Sequence, residues 1–235
     1  MTIEELRKYH PNATEETWHQ HPNGGGWVEN TAHVDETARV FGNARVFGDA
    51  RVYGDAWVFG NAWVYGDAQV YGNAQVYGNA WVYGDAWVYG DAQVHGNAQV
   101  HGNAQVHGNA QVYGNAQVYG NAQVYGDAWV YGDAWVYGDA QVYGNAQVHG
   151  NAQVYGNAWD ESPLYIQGTR HPLSPYKRGW IRIGCMAHTI SWWLEHYEGA
   201  GRAENYTPVQ VAEYKLYIDL FAARYGTDAK EEAES

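Results

Sequence analysis

From Val28 to Val154 a valine stands at every sixth position, and for most of that run an alanine stands two residues before it. The repeated phrase is Asn/Asp-Ala-x-Val-aromatic-Gly, as in Asn73-Ala74-Gln75-Val76-Tyr77-Gly78 and Asp85-Ala86-Trp87-Val88-Tyr89-Gly90, and it runs almost unbroken from Asn43 to Asn157. Side chains of an extended segment alternate between two faces, so Ala74 and Val76 point one way while Gln75 and Tyr77 point the other. Gly78 and Asn79 follow, residue types that accept the left-handed backbone of a sharp corner. Each hexapeptide therefore predicts one short strand and one corner. One repeat cannot bury its own apolar face, so neighbours must stack. Three strands close a triangular coil of 18 residues, and the 22 valines of the run predict about seven coils. Stacked at about 4.8 Å, these make a prism roughly 35 Å long with Val and Ala inside.

The flanks read differently. Residues 1–26 form an N-terminal cap, with Thr2 and Glu5 spaced as a capping box and Pro11, Pro22 and Gly24-Gly25-Gly26 breaking the chain before the first repeat. The repeats occupy 27–159 and end at Trp159-Asp160. Residues 160–235 predict a small α+β module. Leu164–Gln167 and Trp180–Ile183 read as two strands of a hairpin, joined by a loop that holds Arg170, His171, Pro172, Pro175, Lys177 and Arg178. A helix from Thr189 to about Gly199–Gly201 follows, then one capped by Thr207-Pro208 and ending near Tyr225-Gly226. The last residues carry an acidic tail, Glu231-Glu232-Ala233-Glu234.

The spacing Val-x-x-x-Ala-x resembles the hexapeptide-repeat family. That resemblance implies a left-handed parallel β-helix, a handedness the period alone does not give. The opening Gly24-Gly25-Gly26-Trp27-Val28, with Thr31-Ala32 and Thr37-Ala38, is similar to acyltransferase-like hexapeptide proteins of bacteria, phages and prophages. Ile183-Gly184-Cys185, His188-Thr189-Ile190 and Trp192-Trp193-Leu194 resemble a C-terminal module of phage-encoded proteins. The resemblance implies a homotrimer and, for an acyltransferase, coenzyme A and a catalytic histidine.

Charge narrows the function. The net charge is -13, and no Lys or Arg lies between Arg51 and Arg170. A nucleic-acid polymer is not an expected partner. The same stretch offers nothing cationic to the phosphates of coenzyme A, and no loop interrupts the repeats to enclose an acceptor. A lone Cys185 excludes an internal disulfide and a cysteine metal motif. With no apolar leader and no membrane-length apolar run, the expectation is a cytoplasmic protein, in the host cytoplasm if phage-encoded.

The outward positions carry two ladders per face. One is mostly Gln, interrupted by Trp63, Trp81, Trp87, Trp129, Trp135 and Trp159; the other is mostly Tyr. Such aromatic surface suits strand stacking, subunit packing or ligand stacking. His95, His101 and His107 replace Tyr in three consecutive repeats, which places them on three different faces. Within a monomer they cannot converge on one metal, and substitution within the ladder explains them. A cationic and aromatic group in the C-terminal module, Arg170, His171, Tyr176, Lys177, Arg178, Trp180 and Arg182, suits a small anionic ligand. No catalytic residue, cofactor or metal is assigned. The expected function is a non-catalytic, homo-oligomeric binding scaffold that sequesters a small anion such as a signalling nucleotide. A coenzyme A-dependent acyltransferase and a purely structural oligomerisation module are the alternatives.

Overall fold

The computed structural model describes residues 1–227 apart from 157 and 160; the acidic tail and Asp160 lie outside the described residues. The repeats form a parallel β-solenoid of about seven turns. Strands β2 (Trp27–Glu29) through β24 (Ala158–Trp159) follow one per hexapeptide and fall into three sheets. From the second coil up to the last strand, each pairs in parallel with the one 18 residues before it: Val82 lies beside Val64, and Val100 beside Val82. Two or three N–H groups per hexapeptide bond the next coil, as Asn79 to Gly96 O (2.7 Å), Trp81 to Ala98 O (2.9 Å) and Tyr83 to Val100 O (3.0 Å). From Val40 to Val154, Val and Ala fill the interior and are fully buried.

The corners explain the obligatory glycine. Gly96 has φ +69°, and a Cβ built on it would sit 2.9 Å from the backbone nitrogen of Gly114 in the next coil. Any larger residue is strained by conformation and by contact at once. Beside the glycines, Asn and Asp form columns. On one corner each amide donates to the next coil, from Asn43 through Asn61, Asn79, Asn97 and Asn115 to Asp133, at 2.9 to 3.1 Å. A second corner carries the same relay from Asn103 through Asn121 to Asp139, but above it stand Asp49, Asp67 and Asp85 in succession. Three stacked carboxylates contain no donor. Asp67→Asn supplies an amide to Asp85 and removes a like charge, so it is expected to raise the melting temperature by about 2 °C. A melt at low and high salt checks this, with the larger gain at low salt.

Both ends are closed by sequence outside the repeat. Helix α1 (Ile3–Leu6) has the capping box of Thr2 and Glu5 in place. Strand β1 (Trp18–Gln20) pairs antiparallel with β2 and covers its open edge. Leu6, Ala13, Trp18 and Trp27 form a small core there, and the Trp27 indole donates to Met1 O at 3.0 Å. Arg45 is buried under this cap, its guanidinium 3.8 Å from the Tyr9 ring centroid and 4.8 Å from that of Trp63. Trp63 is therefore partly covered by the cap.

At the other end the spacing misplaces one residue. Trp159, expected on the outer surface, pairs with Val142 and is buried. The strand has slipped by one position, because the inward slot that the period assigns to Asp160 is closed to an unpaired carboxylate. Trp159 fills that slot and ends the core.

The module beyond is a four-stranded antiparallel sheet backed by two helices, not a hairpin with two helices. Strands β25 (Ile166–Gln167), β26 (Pro172–Lys177), β27 (Trp180–Ile183) and β28 (Met186–Thr189) are adjacent in that order. The expected loop is thus mostly strand β26. Its prolines are tolerated because Pro172 opens the strand and Pro175 lies past Leu173, where pairing with β25 stops. Helix α2 (Ile190–Ala203), capped by Thr189, runs through both glycines expected to end it. Gly201 is buried, and a Cβ there would meet Val211 at 3.0 Å, so glycine allows close approach of α3 (Pro208–Tyr225). Helix α3 begins and ends as expected, with Thr207 and Gln210 forming its capping box. No described helix is long and apolar enough to cross a membrane.

Candidate ligand pocket of the C-terminal module

The outer ladders are built as the repeat dictates. Tyrosines stack coil on coil, as Tyr65 on Tyr83 at 4.9 Å between centroids, and their hydroxyls donate to glutamines of the next coil, as Tyr77 to Gln93 at 3.2 Å. His95, His101 and His107 lie on separate faces, each between two tyrosine rings; His101 is 4.7 Å from Tyr83 and 5.1 Å from Tyr119. Burial lowers all three pKa values from the ordinary imidazole value, so the rings are neutral at pH 7. Trp81, Trp87, Trp129 and Trp135 are exposed, on all three faces, and do not gather into one patch.

The cationic group of the C-terminal module divides into three places. Arg182 belongs to the joint with the solenoid: it bonds Gln153 Oε1, reaches the Tyr137 hydroxyl at 3.3 Å, and lies 4.7 Å over the Tyr176 ring. Tyr176 stacks on Tyr155 at 5.3 Å, extending a tyrosine column out of the solenoid. Lys177, over the Trp180 ring at 4.6 Å, and Arg178 sit at the turn between β26 and β27. Arg170 and His171 precede the opposite end of β26. That strand spans roughly 17 Å at ordinary strand rise, so the turn and Arg170 do not share a site.

His171 lines instead a pocket formed by the sheet, α2 and α3, and Arg170 lies beside it over the ring of Tyr206, itself a lining residue. Its inner lining is apolar, with Ile183, Met186, Trp193, Val211 and Ile218, and its free volume is about 90 Å³. Tyr214, Tyr206, His171 and Glu204 line it as well. The Tyr214 hydroxyl accepts from the N–H groups of Arg170 (3.1 Å) and His171 (2.5 Å) and donates to His171 O (2.8 Å). Glu213 holds Thr169 through its N–H and hydroxyl, which keeps the Glu213 carboxyl below the usual carboxylate range. The loop carrying Arg170 and His171 is thus clamped to α3. Arg170 donates to Asn205 O at 3.1 Å and lies 5.0 Å over the ring of Tyr206, whose hydroxyl burial and Tyr214 keep protonated well above the ordinary phenol value.

Sequence reasoning found Arg170 and His171 but missed the pocket. Its lining comes from β27, β28, α2, α3 and the loops before and between them, with no shared spacing. Gly201, which the sequence reads as a helix end, is the one local signal of that close packing, because it lies inside α2 against Val211.

A family model described as the YdcK Beta solenoid repeat matches residues 38–52, 50–66, 68–84, 74–90, 116–132, 122–138 and 140–156. No curated protein matches the chain.

Proposed function

Taking the chain as a β-solenoid repeat protein, we propose that it is a non-catalytic binding scaffold: a stiff, cation-poor rod that carries a small-molecule pocket in its C-terminal module. The observation that supports this reading is the apolar pocket whose mouth is held by Tyr214 and Glu213. A buried apolar recess with a few fixed polar groups is what small-ligand sites consist of. Sequestration of a small anion such as a signalling nucleotide, by a phage-encoded chain, is the sharper form; Arg170 and His171 favour it. The separation of Lys177, Arg178 and Arg182 from that mouth, and Glu204 within it, weigh against a polyanion. The acyltransferase alternative draws no support from the histidines, which are enclosed between tyrosine rings on three separate faces.

One surface favours self-assembly as part of the same function. Helix α3 buries Tyr214, Ile218 and Phe221, yet on its other side Val209, Leu216 and Leu220 are 78%, 70% and 50% exposed. A second copy of the chain is the occupant this stripe suits, with a trimer as the expected number from the hexapeptide-repeat resemblance. Native mass measurement tests both parts. The expected result is an oligomer carrying a retained small molecule, with the molecule lost in Ala200→Phe and the oligomer lost in Leu216→Glu. A bare chain that no compound of a small-molecule panel stabilises overturns the binding reading, and a monomer at micromolar concentration overturns assembly.

A further inference from the structure

The N-terminal cap encloses a cation and a titratable ring in one aromatic box. His10 packs against Trp18, Phe47 and Trp63, with ring centroids 4.6, 4.7 and 6.1 Å away. The Arg45 guanidinium lies 4.8 Å from that same Trp63 ring and 3.8 Å from the ring of Tyr9, the residue before His10. Arg45 is only 4% exposed, and its Nε and Nη1 are buried without a hydrogen-bond partner among the described residues, as is Nε2 of His10. No ion pair among the described residues includes either side chain. The rings hold Arg45 by cation–π attraction and hold His10 by packing, as a neutral imidazole.

A proton on His10 upsets that arrangement. An imidazolium has two N–H donors, and the one on Nε2 is buried where no acceptor stands, beside a guanidinium that also lacks acceptors. The neighbouring groups do not compensate. The Glu29 carboxylate of β2 already accepts from Gly48 N–H at 2.8 Å, Arg7 donates to Ala13 O at 2.9 Å, and His19 of β1 bonds Asn30. Glu4, Glu5, Lys8, Glu15 and Glu16 are exposed. Burial first, then the charge of Arg45, holds the His10 pKa below the ordinary imidazole value, with Glu29 opposing them. The folded value thus lies below the unfolded value of about 6.5, so this contribution to cap stability is complete above that pH and is lost as pH falls through the folded value.

The box sits on the outer face of one sheet, where Trp27, Arg45, Trp63 and Trp81 stand side by side in successive coils. The first thirteen residues cover the near part of that strip: Met1 O accepts from the Trp27 indole, and Leu6 and Ala13 are buried with Trp27. Trp81 stacks on Trp63 at 5.1 Å and carries the strip past the cap into solvent. We propose that residues 1–13 form an acid-released strap: protonation of His10 against Arg45 lifts the segment away and uncovers Trp27, Arg45 and Trp63, while the solenoid beneath stays folded.

Hydrogen exchange read by mass spectrometry on the full chain tests this, at about pH 7.5 and about pH 5, with rates corrected for the intrinsic effect of pH. The amides of Leu6, Arg7, Tyr9, His10 and Ala13 bond within the strap and report on it. Their protection is expected to fall about tenfold or more in acid and to return at neutral pH, while peptides spanning Gln99–Val118 keep theirs. His10→Phe and His10→Gln remove the titration, so the acid loss should vanish in both, with protection at neutral pH retained in at least one. Arg45→Met keeps the imidazole but removes the fixed charge, and should shrink the acid loss. Unchanged protection of the parent strap in acid overturns the proposal, as does an acid loss of equal size in the His10 variants. Loss of protection at neutral pH in both His10 variants, or an acid loss shared by Gln99–Val118, overturns it too.

Discussion

Val118→Asp is expected to abolish the cooperative fold of the solenoid at pH 7. Val118 is fully buried and stacks between Val100 and Val136, so the new carboxylate has neither water nor a partner. Leaving a charge uncompensated in such an interior costs on the order of 4 kcal/mol or more, comparable to a large part of a domain's stability. The buried carboxyl has its pKa raised above the unfolded value of about 3.9, so the penalty is absent below that pH and grows as pH rises through it. Circular dichroism should therefore show partial recovery of β-structure near pH 4. Gln117→Lys, one residue away but pointing outward, should stay close to the parent melting temperature. Equal losses in the two variants would contradict the assignment of inner and outer faces.

Trp159→Ala should be the next most damaging change. Trp159 is 8% exposed, closes the last coil, and meets Tyr225 of α3 edge-on at 6.3 Å. Its removal leaves an unfilled end to the core and costs about 3–5 kcal/mol, the range for large aromatic truncations. The same substitution at Trp87, which is 39% exposed, removes little buried area and should cost under about 1 kcal/mol. Chemical denaturation of the two variants provides the comparison. Limited trypsin digestion of Trp159→Ala should also release the C-terminal module by cleavage at Arg170 or nearby basic residues. Similar midpoints for the two variants would mean that Trp159 does not seal the core.

The solenoid was legible because its sequence states the same local rule more than twenty times. Val, Ala and Gly each have one place that sterics allow, and the strand pairs confirm that register along the run. Helix starts were equally plain, since Thr2 and Thr207 act through local hydrogen bonds. What could not be read depends on what lies across the fold. Pro175 looks like a breaker until its unpaired edge is known, and Gly201 looks like a helix end until Val211 is found against it. Trp159 obeys the period by count and departs from it by burial, because filling the core outweighs keeping step. The cationic residues of 170–182 are close in sequence, yet a strand carries them to opposite ends, and of them His171 lines the pocket.

Pairing of coil strands with partners 18 residues away, from the first coil to the slip at Trp159, also gears the two ends of the molecule to each other. Gain or loss of one hexapeptide turns the C-terminal module by a third of a revolution about the rod and shifts it by about 1.6 Å, a third of the strand spacing. Gain or loss of three restores the heading and changes the span by one rung, about 4.8 Å. Near-identical repeats are the substrate on which unequal recombination acts, so the chain can adjust the reach and heading of its pocket in quantised steps without altering a single contact rule of its core.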